Sequence, residues 1–257
     1  MKITLKKLLE GKGLVSLLLS EFKKNKRTKA VYLSGLLVIL YLALTVYYTV
    51  NTVGLFDNFT YLYKFSLSYM NYLILPMILL SFTTTAFSNE YRSDTIKYLW
   101  TIPVSRRKLF FTKCLYILCI SFIYMLTVFI VITLAGHFSR FQSSISPGLV
   151  FRFFELCLLS SLLIALAILP ISIITIFTKG SSVATNLIGS IYIISSFFLM
   201  KILQGVSPLA SAPHIIWYRN FEGVQNNENI YFMIANVVLV FVLYLMITLN
   251  ILKRQDL

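Results

Sequence analysis

Six stretches of this chain, each about 20 residues or longer and nearly free of charge, limit it to one kind of surroundings. They run from Ala30 to Val50, Phe65 to Ser88, Cys114 to Gly136, Phe153 to Phe177, Ser181 to Lys201 and Ile230 to Leu252. The first three contain no Asp, Glu, Lys or Arg at all. A helix of that length matches the ~30 Å hydrocarbon core of a bilayer. With 58% hydrophobic and 12% charged residues, the chain also has more apolar side chains than one soluble core can hide. The expected fold class is all-α, a polytopic membrane protein with six transmembrane helices in a single domain over residues 1–257. Only Thr178, Lys179, Gly180 and Ser181 separate the fourth and fifth stretches, short enough to force an antiparallel hairpin. No repeat of fixed period and no Pro/Gly/Ser linker divides the chain.

A formal net charge of +14 would point to nucleic acid in a soluble protein, so the placement of the charge decides its meaning. Nine of the 23 Lys and Arg residues precede Ala30, and six more lie between Glu90 and Lys113. Counted on alternate sides of the six stretches, 18 of the 23 fall on the side of the N-terminus and five (Lys64, Arg140, Arg152, Lys201, Arg219) on the other. That asymmetry is the positive-inside pattern, with both termini in the cytoplasm and no nucleic-acid partner. The basic residues before Ala30 imitate a secretory signal, but the apolar run is too long and no small-residue cleavage site follows, so the first stretch reads as retained. Within residues 1–29, Ile3 to Phe22 mixes Leu, Ile and Val with Lys6, Lys7 and Lys12. This segment reads either as a short helix lying in the cytoplasmic interface among anionic head groups, or as a basic tail that only sets orientation.

Cysteine and histidine carry no chemistry here. Cys114, Cys119 and Cys157 sit inside apolar stretches and are odd in number, with neither zinc spacing nor a disulfide framework. His137 and His214 stand far apart with no Cys or Asp cluster beside them, and no metal site is expected.

The most informative segment is the cytoplasmic loop of residues 89–112, between the second and third stretches. Ser93 or Asp94 can cap a helix in which Ile96, Leu99 and Trp100 share one face, and Pro103 ends it. A short amphipathic helix away from the bilayer core needs a partner for its apolar face, either the lipid surface or a cytosolic protein. Glu90, Thr95, Leu99, Pro103, Val104, Ser105 and Arg106, with Lys113 beyond them, resemble the matching loop of the type-2 permease family of ABC transporters. Asp94 stands where many relatives have Gly, a difference in the local turn.

The resemblance covers nearly the whole chain and implies several things about it. Glu90, Tyr91, Arg92, Asp94, Thr95, Leu99, Trp100, Pro103, Val104, Ser105 and Arg106 would form the coupling element that docks into a cytosolic ABC ATPase subunit. Two permeases would work with two ATPase copies, so a second permease chain is implied, as a homodimer or a sister heterodimer. ATP and Mg would belong to the ATPase. That division agrees with the residues, since the chain has ten glycines and no G-x-x-x-x-G-K-[ST] phosphate loop; no enzymatic activity and no cofactor of its own are expected. Relatives of this length look most like peptide-antibiotic immunity permeases and exporters of bacterial cytolytic peptides such as phenol-soluble modulins. By the same resemblance the chain sits in a bacterial cell membrane and exports an amphipathic peptide, peptide antibiotic or lipid-like cargo.

Polar side chains inside spans face a cavity or another helix. Tyr41, Asn71, Asn186 and Asn236 are the candidates for a cargo cavity, although the asparagines serve equally well as interhelical hydrogen-bonding glue. Tyrosines concentrate around the first two stretches, where they would either wall a cavity for amphipathic cargo or anchor the interface. Pro76 and Pro170 interrupt the second and fourth stretches and permit kinks. In the external segment 205–229, Ile215 to Tyr218 is too short to span and would either dip into the outer leaflet or form an interfacial belt. Two other classes of function remain open at this level. A lipid-modifying enzyme would need paired acids or a nucleophile with its base, and the nine acidic residues are scattered. A non-transporting sensor or scaffold with the permease fold differs only in moving no cargo.

Overall fold

A computed structural model describes residues 14–26, 28–51, 58–92, 106–139, 142–218 and 229–254, and every regular element among them is helical. In chain order the elements are α1 (Leu14–Asn25), α2 (Lys29–Asn51), α3 (Phe59–Tyr69), a π-turn (Met70–Ile74), α4 (Leu75–Arg92) and α5 (Arg106–His137). There follow α6 (Pro147–Ile168), a 3₁₀ turn (Leu169–Ile171), α7 (Ser172–Phe177), α8 (Ser182–Phe198), α9 (Met200–Leu203), α10 (Pro208–Ile216) and α11 (Ile230–Arg254).

Five helical segments are long and apolar enough to cross a membrane: Lys29–Tyr48, Phe59–Asn89, Arg107–His137, Pro147–Phe177 and Ile230–Ile251. The sixth, α8, has only 17 residues and extends ~26 Å, at the lower limit for a crossing. It ends at Phe198, short of the expected Lys201, because Leu199 leaves the helix and the chain turns through α9 into α10. Leu33, Leu40, Leu187, Ile191, Val238 and Leu243 all point outward from α2, α8 and α11. An apolar surface of that extent is stable only in lipid. The chain is a multi-pass, all-α membrane protein.

Inside the bundle, α3–α4 and α6–α7 are central, with 56% and 61% of their apolar windows buried, while α2 and α11 flank it at 22% and 17%. Both prolines of the central pair stand at changes of helical register. Pro76 has no N–H and its ring crowds the carbonyl four residues back. The turn before it takes in one extra residue, with the Leu75 N–H donating to the Met70 carbonyl. Pro170 sits in the 3₁₀ turn that separates α6 from α7.

The α7–α8 connection is the hairpin expected from its length, and its closure is specific. The Gly180 N–H donates to Thr175 O at 2.8 Å and the Lys179 N–H to Ile176 O at 3.3 Å. These are the two bonds of a Schellman cap, which needs the left-handed region at its first residue beyond the helix. Lys179 takes that conformation at φ 49°, followed by Gly180 at φ 88°. Ser181 then caps α8 by accepting from the Ala184 N–H, and the Thr175 and Thr185 hydroxyls meet across the hairpin at 3.0 Å.

Two segments differ from their expected placement. The N-terminal helix, expected over Ile3–Phe22, is described from Leu14 and continues to Asn25, while residues 1–13 lie outside the described residues. It packs against α5, with the Phe22 ring edge-on to Tyr116 at 4.9 Å. In the 205–229 segment the buried helix is Pro208–Ile216, earlier than the Ile215–Tyr218 run. Ser207 caps it and Pro208 opens it, at the position where a missing N–H costs nothing. It lies among α6, α8 and α11.

Candidate functional site

The coupling element read from the sequence falls in the connection between α4 and α5. Residues 93–105, and with them Asp94, Thr95, Leu99, Trp100, Pro103, Val104 and Ser105, lie outside the described residues. Glu90, Tyr91 and Arg92 belong to the last turns of α4, and Arg106 opens α5. The described part of this site is therefore its base, where the two helices are joined.

That base is built around a buried lysine. Lys113 is 1% exposed, its Nζ donates to Ala86 O at 2.5 Å, and it lies 4.9 Å from the centre of the Phe87 ring. Removing an ammonium from water is costly unless charge-assisted bonds replace its hydration. A helix carbonyl with a spare lone pair and an aromatic face supply part of that replacement. From there aromatic contacts lead on, Phe87 to Phe110 at 6.2 Å and Phe110 to Tyr244 at 5.7 Å. The Tyr244 hydroxyl bonds Ser172 Oγ at 2.8 Å and meets Cys114 Sγ at 3.8 Å. One buried cluster thus joins α4 and α5, the helices on either side of residues 93–105, to α7 and α11.

The same end of the bundle also gathers the other basic segments. α1 meets α5 at Tyr116, three residues from Lys113, and α7, whose first residue Ser172 is bonded to Tyr244, runs on from there to the Lys179 turn. The far end carries the Arg152–Glu155 ion pair at 2.7 Å.

Tyr244→Phe is expected to keep the ring contacts and lose the hydroxyl bonds, lowering the thermal unfolding midpoint by about 2–4 °C, since an interhelical hydrogen bond in a membrane is worth ~1 kcal/mol. Unfolding followed in detergent checks this, and an unchanged midpoint would show that the hydroxyl contributes nothing.

The four cavity candidates do not converge. Asn71, in the π-turn, is fully buried and donates through Nδ2 to Ser160 Oγ at 3.0 Å, joining the second crossing to α6. Its Oδ1 accepts no hydrogen bond among the described residues. Tyr41 is half-buried and donates to Ser66 O at 2.5 Å, tying α2 to α3. Asn186 is exposed on α8. Asn236 is half-buried on α11 and donates to Val206 O at 3.0 Å, holding the turn that leads into α10. The tyrosines near the first two crossings likewise diverge. Tyr63 stacks on Phe153 at 5.3 Å, whereas Tyr32, Tyr47, Tyr48, Tyr61 and Tyr69 are exposed. Among the described residues no group of three or more His, Cys, Asp or Glu is placed to hold a metal ion.

Burial of Lys113 and the Tyr244 cluster are what sequence reasoning missed. The signal for Lys113 was available: it is the last basic residue before an uninterrupted apolar stretch, seven residues inside the helix that begins at Arg106.

Comparison with known families covers this region. Residues 17–196 match the family profile described as ABC-2 family transporter protein. The chain belongs to the ABC-2 transporter family. The match includes most of α1, the first four crossings, the loop between α4 and α5 and most of α8. A comparison with curated proteins returned no match. As an ABC-2 membrane protein the chain is the permease component of an ABC transporter, a role that implies association with an ABC ATPase.

Proposed function

We propose that this ABC-2 permease is the membrane half of an ATP-driven exporter for an amphipathic peptide, a peptide antibiotic or a lipid-like molecule. A separate cytosolic ATPase, in two copies, binds ATP and Mg and docks on residues 90–106. Two permease chains, identical or sister, complete the complex in a bacterial cell membrane, with both termini in the cytoplasm. This chain binds no cofactor and carries out no chemistry; it converts ATPase closure into a change in helix packing.

The observation that supports the reading is the Lys113–Tyr244 cluster, which joins α4 and α5, the helices that flank residues 93–105 in the chain, to α7 and α11; the connecting residues lie within the family match. The gathering of α1 and the Lys179 turn at that same end supports the orientation, because 18 of the 23 basic residues belong to segments on that side. The aromatic, weakly charged interior favours amphipathic cargo.

Leu99→Glu, Glu90→Gln and Pro103→Ala test it. Charging the apolar face of a docking helix at Leu99 is expected to reduce cargo-stimulated ATP hydrolysis by tenfold or more in vesicles holding the permease with its ATPase, while membrane insertion is unchanged. Variants that assemble, hydrolyse ATP and move cargo at the unmodified rate would refute docking at this loop.

A further inference from the structure

A cleft of about 330 Å³ opens where α1, α2, α4 and α5 meet. Phe82, Tyr116, Ile120 and Ile123 wall it, and the exposed Lys23 and Lys26 line its edge. It holds the volume of on the order of ten waters, yet its walls are almost wholly apolar and offer water few partners. Such a space favours an apolar occupant.

Two observations identify where the occupant comes from. Ile123 is 47% exposed and continues an outward apolar stripe on α5 with Leu115 and Phe122, so the cleft is continuous with the surface that faces lipid. On α1, Leu17, Glu21 and Asn25 turn inward at intervals of four while Leu14, Val15 and Leu19 turn outward, which places this helix along the boundary of the bilayer. The charge at the edge selects the head group. From Glu21 to Lys29 the sequence carries Lys23, Lys24, Lys26, Arg27 and Lys29 against one acid, and that acid, Glu21, is buried against the bundle.

We infer that this cleft binds one anionic phospholipid of the surrounding leaflet, with an acyl chain between α1 and α5 and its phosphate at Lys23 and Lys26. Basic pockets between membrane helices recognise anionic head groups in this way. The chain's own residues 1–13 fit less well, because Lys2, Lys6, Lys7 and Lys12 against Glu10 alone would be repelled by the same edge. A cationic amphipathic cargo is disfavoured for the same reason. The site goes beyond the transport reading and does not depend on it: lipid held here would set the angle of α1 on α5 next to Lys113.

The test uses the full-length chain purified in a neutral detergent, with lipid retention measured by native mass spectrometry against phosphatidylglycerol, phosphatidylcholine and inorganic phosphate. Phosphatidylglycerol is expected to be retained in preference to phosphatidylcholine, and phosphate alone not at all. K23Q/K26Q, on exposed positions that leave the fold intact, is expected to lower phosphatidylglycerol affinity about 30-fold, which is ~1 kcal/mol for each lysine near a membrane surface. Ile123→Trp, at the open edge, fills the cleft and is expected to abolish retention with both charges in place. Equal retention of the two lipids, an unchanged K23Q/K26Q variant, phosphate binding without a chain, or displacement by a cationic amphipathic peptide would each overturn the assignment.

Discussion

Lys113→Glu is expected to be the most damaging single change at the loop end of the bundle, lowering stability by about 3–5 kcal/mol and the unfolding midpoint by about 6–20 °C. The native ammonium donates to Ala86 O and faces the Phe87 ring at a position with 1% exposure. A carboxylate there cannot donate, meets the negative face of the ring, and has no water to retreat to. Lys113→Met is the informative companion. It loses the charge-assisted bond to Ala86 O but also removes the cost of burying the charge, so its loss is expected to be well below that of Lys113→Glu. Because the methionine variant folds, it separates stability from coupling. A lysine that only holds α4 against α5 leaves cargo-stimulated ATP hydrolysis at the unmodified rate in Lys113→Met. A lysine that aligns the loop gives a folded, inserted permease whose ATPase partner no longer responds to cargo. Thermal unfolding of the permease and ATPase rates of the reconstituted complex read the two effects independently.

The burial of this lysine shows what hydropathy could and could not reveal. The crossings at Lys29–Tyr48 and Ile230–Ile251 lie within a few residues of their expected bounds, because long uncharged runs have a single solution in a bilayer. The uncharged run of the third crossing begins at Cys114, and α5 extends it back through an amphipathic piece to Arg106. A helix ends where its backbone bonds end, not where its charges begin, and a criterion that excludes charge from spans cannot place Lys113 inside one. The opposite error occurs at α8, where apolar residues up to Lys201 concealed the break at Leu199.

Interhelical partners were less legible still. Asn71 stood out by residue type, but its partner Ser160 is 89 positions away, and no local pattern connects a π-turn to a serine on α6. The buried helix α10 did carry a local signal in Ser207-Pro208, a cap followed by a proline in the first turn. The apolar Ile215 to Tyr218 run drew attention away from it, although burial begins at Ser207. The family was legible in the loop of residues 90–106, whose resemblance agrees with the later family match. The contacts that join the helices flanking that loop rest on Ala86, Lys113, Ser172 and Tyr244, four residues from four helices.

The loop-bearing helix α4 also packs against α8, and Gly189 permits a close approach there. A Cβ at that position would lie 2.3 Å from Leu80 Cδ1, 2.9 Å from Cδ2 and 3.2 Å from Cγ. Leu80 is 3% exposed, so its side chain has little free space to turn into, and either it repacks against its neighbours or the helices separate. Small residues at such crossings let membrane helices gain dispersion contacts that lipid would otherwise take. Gly189→Val is therefore expected to cost about 3 kcal/mol and Gly189→Ala about 1 kcal/mol, even though either residue is a better helix former than glycine. Gly35→Ala is the control, since nothing lies within 4 Å of its added Cβ, and it should leave the unfolding midpoint unchanged or slightly raised. The decisive measurement is the cycle of Gly189→Ala, Leu80→Ala and their combination. If the clash is with Leu80, shortening that side chain relieves it, and the double variant is more stable than the sum of the two losses predicts by about 0.5–3 kcal/mol. Strict additivity would place the cost of Gly189→Ala elsewhere and remove the close α4–α8 crossing from the account of how the loop's helix is held.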